Sequence, residues 1–373
     1  NMKAIYIHIP FCNHICTYCD FYKMVAKEEL KKKYIDYLIK EIEMKKEYLS
    51  DIETIYIGGG TPSSLSLNLL EQLFQTLAKY ISLENIQEFT FEANPNDVTI
   101  ELANLLKKYQ VNRISLGVQS LNRRILKILG RKHNKKSVYQ AIRILKSVEL
   151  TNINADLMYG IGNERFRIIK KDIRRLINQK VTHLSAYSLI IEEKTIIGRQ
   201  LALGKFKPMD PAKEARIYRK ICSFLTKNNF IHYEISNFCH SGYQSKHNLI
   251  YWNNLNYLGV GAGASFYIDN IRYTNIMNLQ EYFNGIDKQE LNYLETTKLT
   301  DEERMSEEMI LGLRKLEGVK KESFQAKFGI DIYQKYPFLS DLISKNLIID
   351  DNVFLKVPTD KLYLINEVLV NFI

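Results

Sequence analysis

Residues 4–21 read AIYIHIPFCNHICTYCDF. The first five, Ala4–His8, alternate β-branched or aromatic residues and predict a short strand. Pro10 stops it, because proline has no amide hydrogen for a ladder. Three cysteines then fall within eight residues, at Cys12, Cys16 and Cys19. A strand that opens straight into a cysteine loop places those thiols at the strand's carboxyl end. The only other cysteines are Cys222 and Cys239. An odd total with one crowded cluster is no disulfide framework and reads as a metal site in a reducing compartment.

The same strand type recurs at Thr54–Ile57, Glu88–Glu92, Arg113–Val118, Ile153–Met158 and His183–Leu189. Stretches with helical spacing separate these strands: Glu28–Leu49, Leu67–Tyr80 and Val138–Val148 are the clearest. Repeated strand–helix units imply parallel strands joined by right-handed crossovers. Six of them before about residue 195 predict an α/β fold, a partial (β/α)6 TIM-like barrel that stays open. The pattern changes after residue 230. The predicted division is a barrel over 1–230, a connecting β-rich segment over 231–296, and a small, mostly helical C-terminal domain over 297–373. Asp301–Leu316 and Glu322–Phe328 read as its helices, with a short segment at Phe338–Ile349 and a closing strand–helix pair. Asn1, ahead of Met2, is read as a remnant and set aside.

Three thiolates at Cys-x3-Cys-x2-Cys can wrap one face of a [4Fe–4S] cluster, whose full complement is four ligands. With no fourth cysteine nearby, one iron is left for a non-protein ligand. The competing reading is structural zinc, with His8 or His14 as the fourth donor. Gly58-Gly59-Gly60-Thr61-Pro62 follows the second strand and permits close backbone approach. It lacks the Lys-Ser/Thr of a P-loop. Polar residues end the later strands: Glu92 and Asn94, then Ser115, Gln119 and Ser120, then Asp156 and Tyr159, then Ser185 and Tyr187. In a parallel barrel, these ends share one mouth, where functional groups collect. Gly259–Gly263 is a poor dinucleotide fingerprint, since the last spacing is wrong. Cys239-His240 is readable as a soft-metal pair or a surface turn.

Together the cysteine loop and glycine turn resemble the radical SAM superfamily. The longer string His8-Ile-Pro-Phe-Cys12 resembles its coproporphyrinogen III oxidase-like branch, which also holds the heme chaperones of the HemW type. The resemblance runs from Tyr6 into the C-terminal unit. It implies that Cys12, Cys16 and Cys19 bind a [4Fe–4S] cluster, whose open iron takes S-adenosylmethionine (SAM). It also implies that Tyr6, Gly59, Gly60, Thr61, Glu92, Gln119, Arg131 and Asp156 form the SAM pocket. Two features favour the chaperone type. Phe21 stands where the oxidase has a further cysteine, and His247-Asn248-Leu-Ile-Tyr251-Trp252 matches the HNxxYW motif, which implies heme ligation by His247. Imidazole is a common axial ligand of heme iron. Two departures stand out: Gly160-Ile-Gly162-Asn163 lacks the usual proline, and Ala264-Ser265 replaces a histidine common in relatives. The implied function is delivery of heme, as cargo, to an acceptor protein. The alternative is the oxidase itself, which decarboxylates propionate side chains by radical chemistry.

The chain has 373 residues, 46% apolar and 25% charged, with a net charge of +10. No apolar run approaches the ~20 residues of a membrane span, and no secretion leader is visible, so a cytoplasmic protein is expected. Lys31, Lys32, Lys33, Lys45 and Lys46 read as a solvated basic face or as one attracted to an acidic ligand or membrane surface. No nucleic-acid motif accompanies it. A homodimer is a further expectation of the resemblance.

Overall fold

The computed structural model describes residues 2–373; Asn1 lies outside the described residues. Six strand–helix units build the first half. They are β1 (Ala4–Ile9) and α1 (Glu28–Met44), β2 (Thr54–Gly59) and α2 (Leu67–Tyr80), and β3 (Glu88–Ala93) and α3 (Ile100–Lys108). β4 (Arg113–Gln119) is followed by two helices, α4 (Arg123–Ile128) and α5 (Lys135–Ser147). β5 (Ile153–Tyr159), α6 (Phe166–Asn178), β6 (His183–Ser188), α7 (Ile196–Ala202) and α8 (Pro211–Lys227) complete the series. β1 to β6 lie in sequence order and pair in parallel. The expected open barrel is present.

The helices form where an apolar stripe meets the sheet. α1 buries Tyr34, Ile35, Leu38 and Ile42, and α2 buries Leu69, Leu70, Leu73, Phe74 and Leu77. α1 ends at Met44 and a 3-10 turn over Lys46–Tyr48 follows, so the predicted helix to Leu49 breaks near its end. α5 begins at Lys135 because the Asn134 side chain caps Ser137 and Ser137 caps back. This reciprocal cap satisfies two donors. Outward-facing apolar strand residues such as Ile5, Ile7, Ile55, Ile57, Phe89 and Phe91 meet these helices in one continuous core.

The segment after residue 230 departs from the predicted division. β8 (Asn237–Cys239) pairs antiparallel with β6, and β7 (Ile231–His232) pairs antiparallel with β8 at the edge. After α9 (Lys246–Trp252), β9 (Leu258–Val260) pairs in parallel with β1. Residues 231–260 therefore widen the barrel sheet at both edges, to nine strands. Such short strands carry too few residues for a periodic signal. Only the next part is a separate sheet: β10 (Ser265–Ile268), β11 (Ile271–Asn275), α10 (Leu279–Asp287) and β12 (Tyr293–Lys298). Gly261, after β9, sits at φ +102°, and a Cβ there would lie 2.6 Å from the His8 carbonyl oxygen. The Gly259–Gly263 run thus lets the chain cross β1.

The C-terminal unit is mostly helical, with α11 (Asp301–Gly312), α12 (Lys321–Phe328), α13 (Ile332–Lys335), α14 (Leu339–Ser344) and α15 (Ile365–Leu369). A small antiparallel sheet joins them: β13 (Val319–Lys320), β14 (Ile349–Asp350) and β15 (Phe354–Lys356). No helix among the described residues is long and apolar enough to cross a membrane.

Candidate cluster and SAM site

The cysteine loop leaves β1 at the mouth of the barrel, and the glycine turn after β2 holds it there. The backbone N–H of Gly60 donates to Ile9 O, and that of Thr61 to Phe11 O, both at 2.7 Å. A Cβ on Gly60 would stand 2.7 Å from the Phe11 carbonyl oxygen, and one on Gly59, at φ +117°, would stand 2.8 Å from the His8 ring. These glycines exist so that two backbones can touch. Thr61 Oγ1 lies 3.4 Å from Cys12 Sγ. On the other side, His14 pairs with Gly130 O at 2.9 Å, and Thr17 donates to Ile128 O at 2.8 Å. The loop is thereby tied to the segments following β2 and β4.

All three thiols line one cavity of about 590 Å³ that runs into the barrel. Among the described residues, no three His, Cys, Asp or Glu side chains converge on one point as ligands of a single ion. Cluster cysteines have no need to, since each binds a different iron. His8 is engaged elsewhere, with Nδ1 at 2.8 Å from the Tyr6 hydroxyl, and burial pushes its pKa down to about 4. Burial also pushes the Cys12 thiol up.

Every residue expected in the SAM pocket lines this cavity: Tyr6, Gly59, Gly60, Thr61, Glu92, Gln119, Arg131 and Asp156. Tyr56 donates to Glu92 Oε1 at 2.6 Å. Burial still carries the Glu92 carboxyl up to about 7, with the Tyr56 hydroxyl opposing. Burial likewise raises Asp156, against a 2.9 Å hydrogen bond from Asn154 Nδ2. Arg131 donates to Gly117 O and, at 3.6 Å, to Cys16 Sγ. Gln119 closes β4 at φ +64°, where the register with β5 slips. A bulge with a left-handed residue re-aims a side chain at a functional mouth.

The cavity also holds polar atoms with no partner in the protein: Asn94 Oδ1, Arg113 Nε and Arg131 Nε. A buried donor left so costs ~1–3 kcal/mol. Carboxylates for an ammonium or hydroxyls, and guanidinium donors for a carboxylate, suit an amino-acid-bearing nucleoside such as SAM. The donor set thus fits both implied groups.

His247 stands differently. It is completely buried. Its Nδ1 pairs with Thr54 Oγ1 at 2.8 Å and its Nε2 with the Tyr251 hydroxyl at 2.7 Å. Both nitrogens are engaged in this arrangement. Burial drives its pKa down to about 3, which keeps the ring neutral. The reason is local. Glu88, which begins β3, accepts the backbone N–H groups of Lys246 at 2.8 Å and His247 at 3.0 Å, docking α9 against the amino ends of β2 and β3. Of the HNxxYW motif, Asn248 is the residue that lines the cavity. Cys239 is buried in β8 while His240 pairs with Asn229 O, so these two form no metal pair.

Sequence reasoning passed over Arg113 and Tyr56 as site residues. The signal was there: Arg113, Ser115, Gly117 and Gln119 alternate along β4, and period two puts all four on the inner face.

Residues 6–176 match the Radical SAM superfamily, and residues 299–359 match the HemN C-terminal domain. The chain is 38% identical to "Heme chaperone HemW" of Lactococcus lactis subsp. lactis, covering 100% of this chain and 97% of that one. It is also 38% identical to "Heme chaperone HemW" of Bacillus subtilis, over 93% of each. The chain belongs to the radical SAM superfamily, in its HemN-like branch close to HemW. A solved coproporphyrinogen III oxidase, HemN from Escherichia coli, superposes with a TM-score of 0.86. It covers 100% of this chain and 90% of the oxidase at 19% identity, a likeness of fold. Membership of the superfamily implies the [4Fe–4S] cluster and SAM as the groups of this site.

Proposed function

We propose that this radical SAM protein is a heme chaperone. It holds a [4Fe–4S] cluster on Cys12, Cys16 and Cys19, binds SAM beside it, and carries heme to an acceptor protein. The observation that carries the reading is the 38% identity across the whole length to a relative bearing that name. Phe21 supports it. The position is 73% exposed at the cavity rim and offers no thiol. When bound, the cluster and SAM supply one-electron chemistry that the protein itself lacks. The chain's own work is positional. Arg131 is the fixed cation for a carboxylate, and Glu92 and Asp156 face an ammonium or hydroxyls. The tyrosines around them keep the pocket dry enough for those contacts to count.

Heme ligation by His247 through Nε2 would require release of its hydrogen bond with the Tyr251 hydroxyl and exposure of the buried ring, so the chaperone reading does not rest on that residue in its present arrangement. The basic surface suits heme propionates or an anionic membrane face. A homodimer and a cytoplasmic setting complete the proposal. The test pairs two anaerobic assays of reconstituted protein. The reading expects a saturable Soret change on heme addition and no protoporphyrinogen IX from coproporphyrinogen III with SAM and reductant. Turnover of coproporphyrinogen III, or no Soret change, overturns it. A His247→Ala protein with an unchanged titration excludes His247 as ligand.

A further inference from the structure

Arg113 begins β4 and lines the cavity, yet the residue is only 2% exposed. Its one hydrogen bond within the protein is long, from a terminal nitrogen to Thr90 Oγ1 at 3.5 Å. Its Nε is buried without a partner. Among the described residues no carboxylate forms an ion pair with it, although Glu92 and Asp156 share its cavity and feel its charge at longer range. A buried arginine is ordinarily paired, because desolvating a lone charge is costly. This one instead faces the cavity, which Asn248 of α9 also lines. The place differs from that of Arg131, which reaches Cys16 at the mouth.

We propose that Arg113 anchors a carboxylate-binding subsite toward the amino ends of the barrel strands, in the same cavity as the residues proposed for SAM but deeper than Arg131 at its mouth. A planar guanidinium with a free Nε and a nearly free terminal nitrogen matches a carboxylate in a two-point contact. Ser115, one pleat along the same face, and Asn248 supply neutral polar walls. Neither competes for the anion. The ligand class is a monocarboxylate arm of a larger molecule. Its assignment to a propionate side chain of the cargo rests on the heme reading; the subsite itself does not.

The test uses the whole chain with reconstituted cluster and saturating SAM, labelled with 15N-arginine. The Nε–H resonance of Arg113 is the one lost in Arg113→Lys, or in Arg113→Gln should the lysine protein misfold. Sodium propionate is expected to move that resonance saturably, while sodium chloride and propionamide leave it in place. Line broadening of 13C-propionate then gives affinities, expected to fall at least ~10-fold in either variant. An unmoved resonance, an equal response to chloride, or a response present without SAM and abolished by it would overturn the subsite. A propionate response without any Soret change would sink the heme reading alone; heme binding without a propionate response would sink the subsite alone.

Discussion

Replacing Gly60 with alanine tests how the cysteine loop is held. Gly60 is not in the left-handed region, so the substitution adds no backbone strain of its own. Its cost is contact: the new Cβ would stand 2.7 Å from Phe11 O and 3.0 Å from Phe11 C and N. Those are backbone atoms in the residue before Cys12, and no rotamer change relieves them. Overpacking of this kind costs ~1–3 kcal/mol. Moving the two backbones apart also weakens the 2.7 Å hydrogen bonds Gly60 N–H to Ile9 O and Thr61 N–H to Phe11 O, each worth about 1 kcal/mol. The expected loss is roughly 2–4 kcal/mol. Gly242→Ala is the control: it sits at φ +86° with nothing within 4 Å of its would-be Cβ, so it carries only the ~1–2 kcal/mol of left-handed strain. Urea midpoints of the iron-free proteins give the stabilities, and iron per chain after anaerobic reconstitution gives the consequence. Gly60→Ala should be the less stable of the two and should take up less iron, with Gly242→Ala filling normally. Gly60→Ala with wild-type midpoint and iron content would refute the glycine turn as the loop's support.

Thr54→Val removes the partner of His247 Nδ1 and should cost ~1–3 kcal/mol in urea unfolding; a neutral result would mean that the histidine is satisfied another way. Glu164 is buried beside the backbone N–H of Ile161, and burial pushes its carboxyl up to about 8. A carboxyl raised above its unfolded value of about 4.5 adds stability that is whole below that pH and lost as pH climbs through 8. Glu164→Gln should therefore flatten the fall in stability between about pH 4.5 and 8, by a few kcal/mol across the window. Parallel profiles for the two proteins would contradict the shift.

The barrel was legible because β1 to β6 each bury an outer face against a helix, and both periods show in the residues. The cysteine loop, the glycine turn and the strand-end carboxylates were legible for the same reason, since a parallel barrel gathers strand ends at one mouth. β7, β8 and β9 were not, being two or three residues long, with β8 and β9 placed by pairing with β6 and β1. The burial of His247 was also beyond the sequence. Its burial depends on Glu88 and Thr54, more than 150 positions away, and no local pattern records such a contact. Arg113 was hidden differently: a cation at a strand start reads as solvent-facing until the inner face is known.

The most direct test of the site is Mössbauer spectroscopy of anaerobically reconstituted, 57Fe-loaded protein with and without SAM. About four irons per chain are expected, with one iron of the four changing its parameters when SAM is added and the other three staying put. Replacing Cys16 with alanine should abolish the cluster signal. A single-metal stoichiometry, or a four-iron spectrum indifferent to SAM, would contradict a cluster with one open iron at the mouth of this barrel.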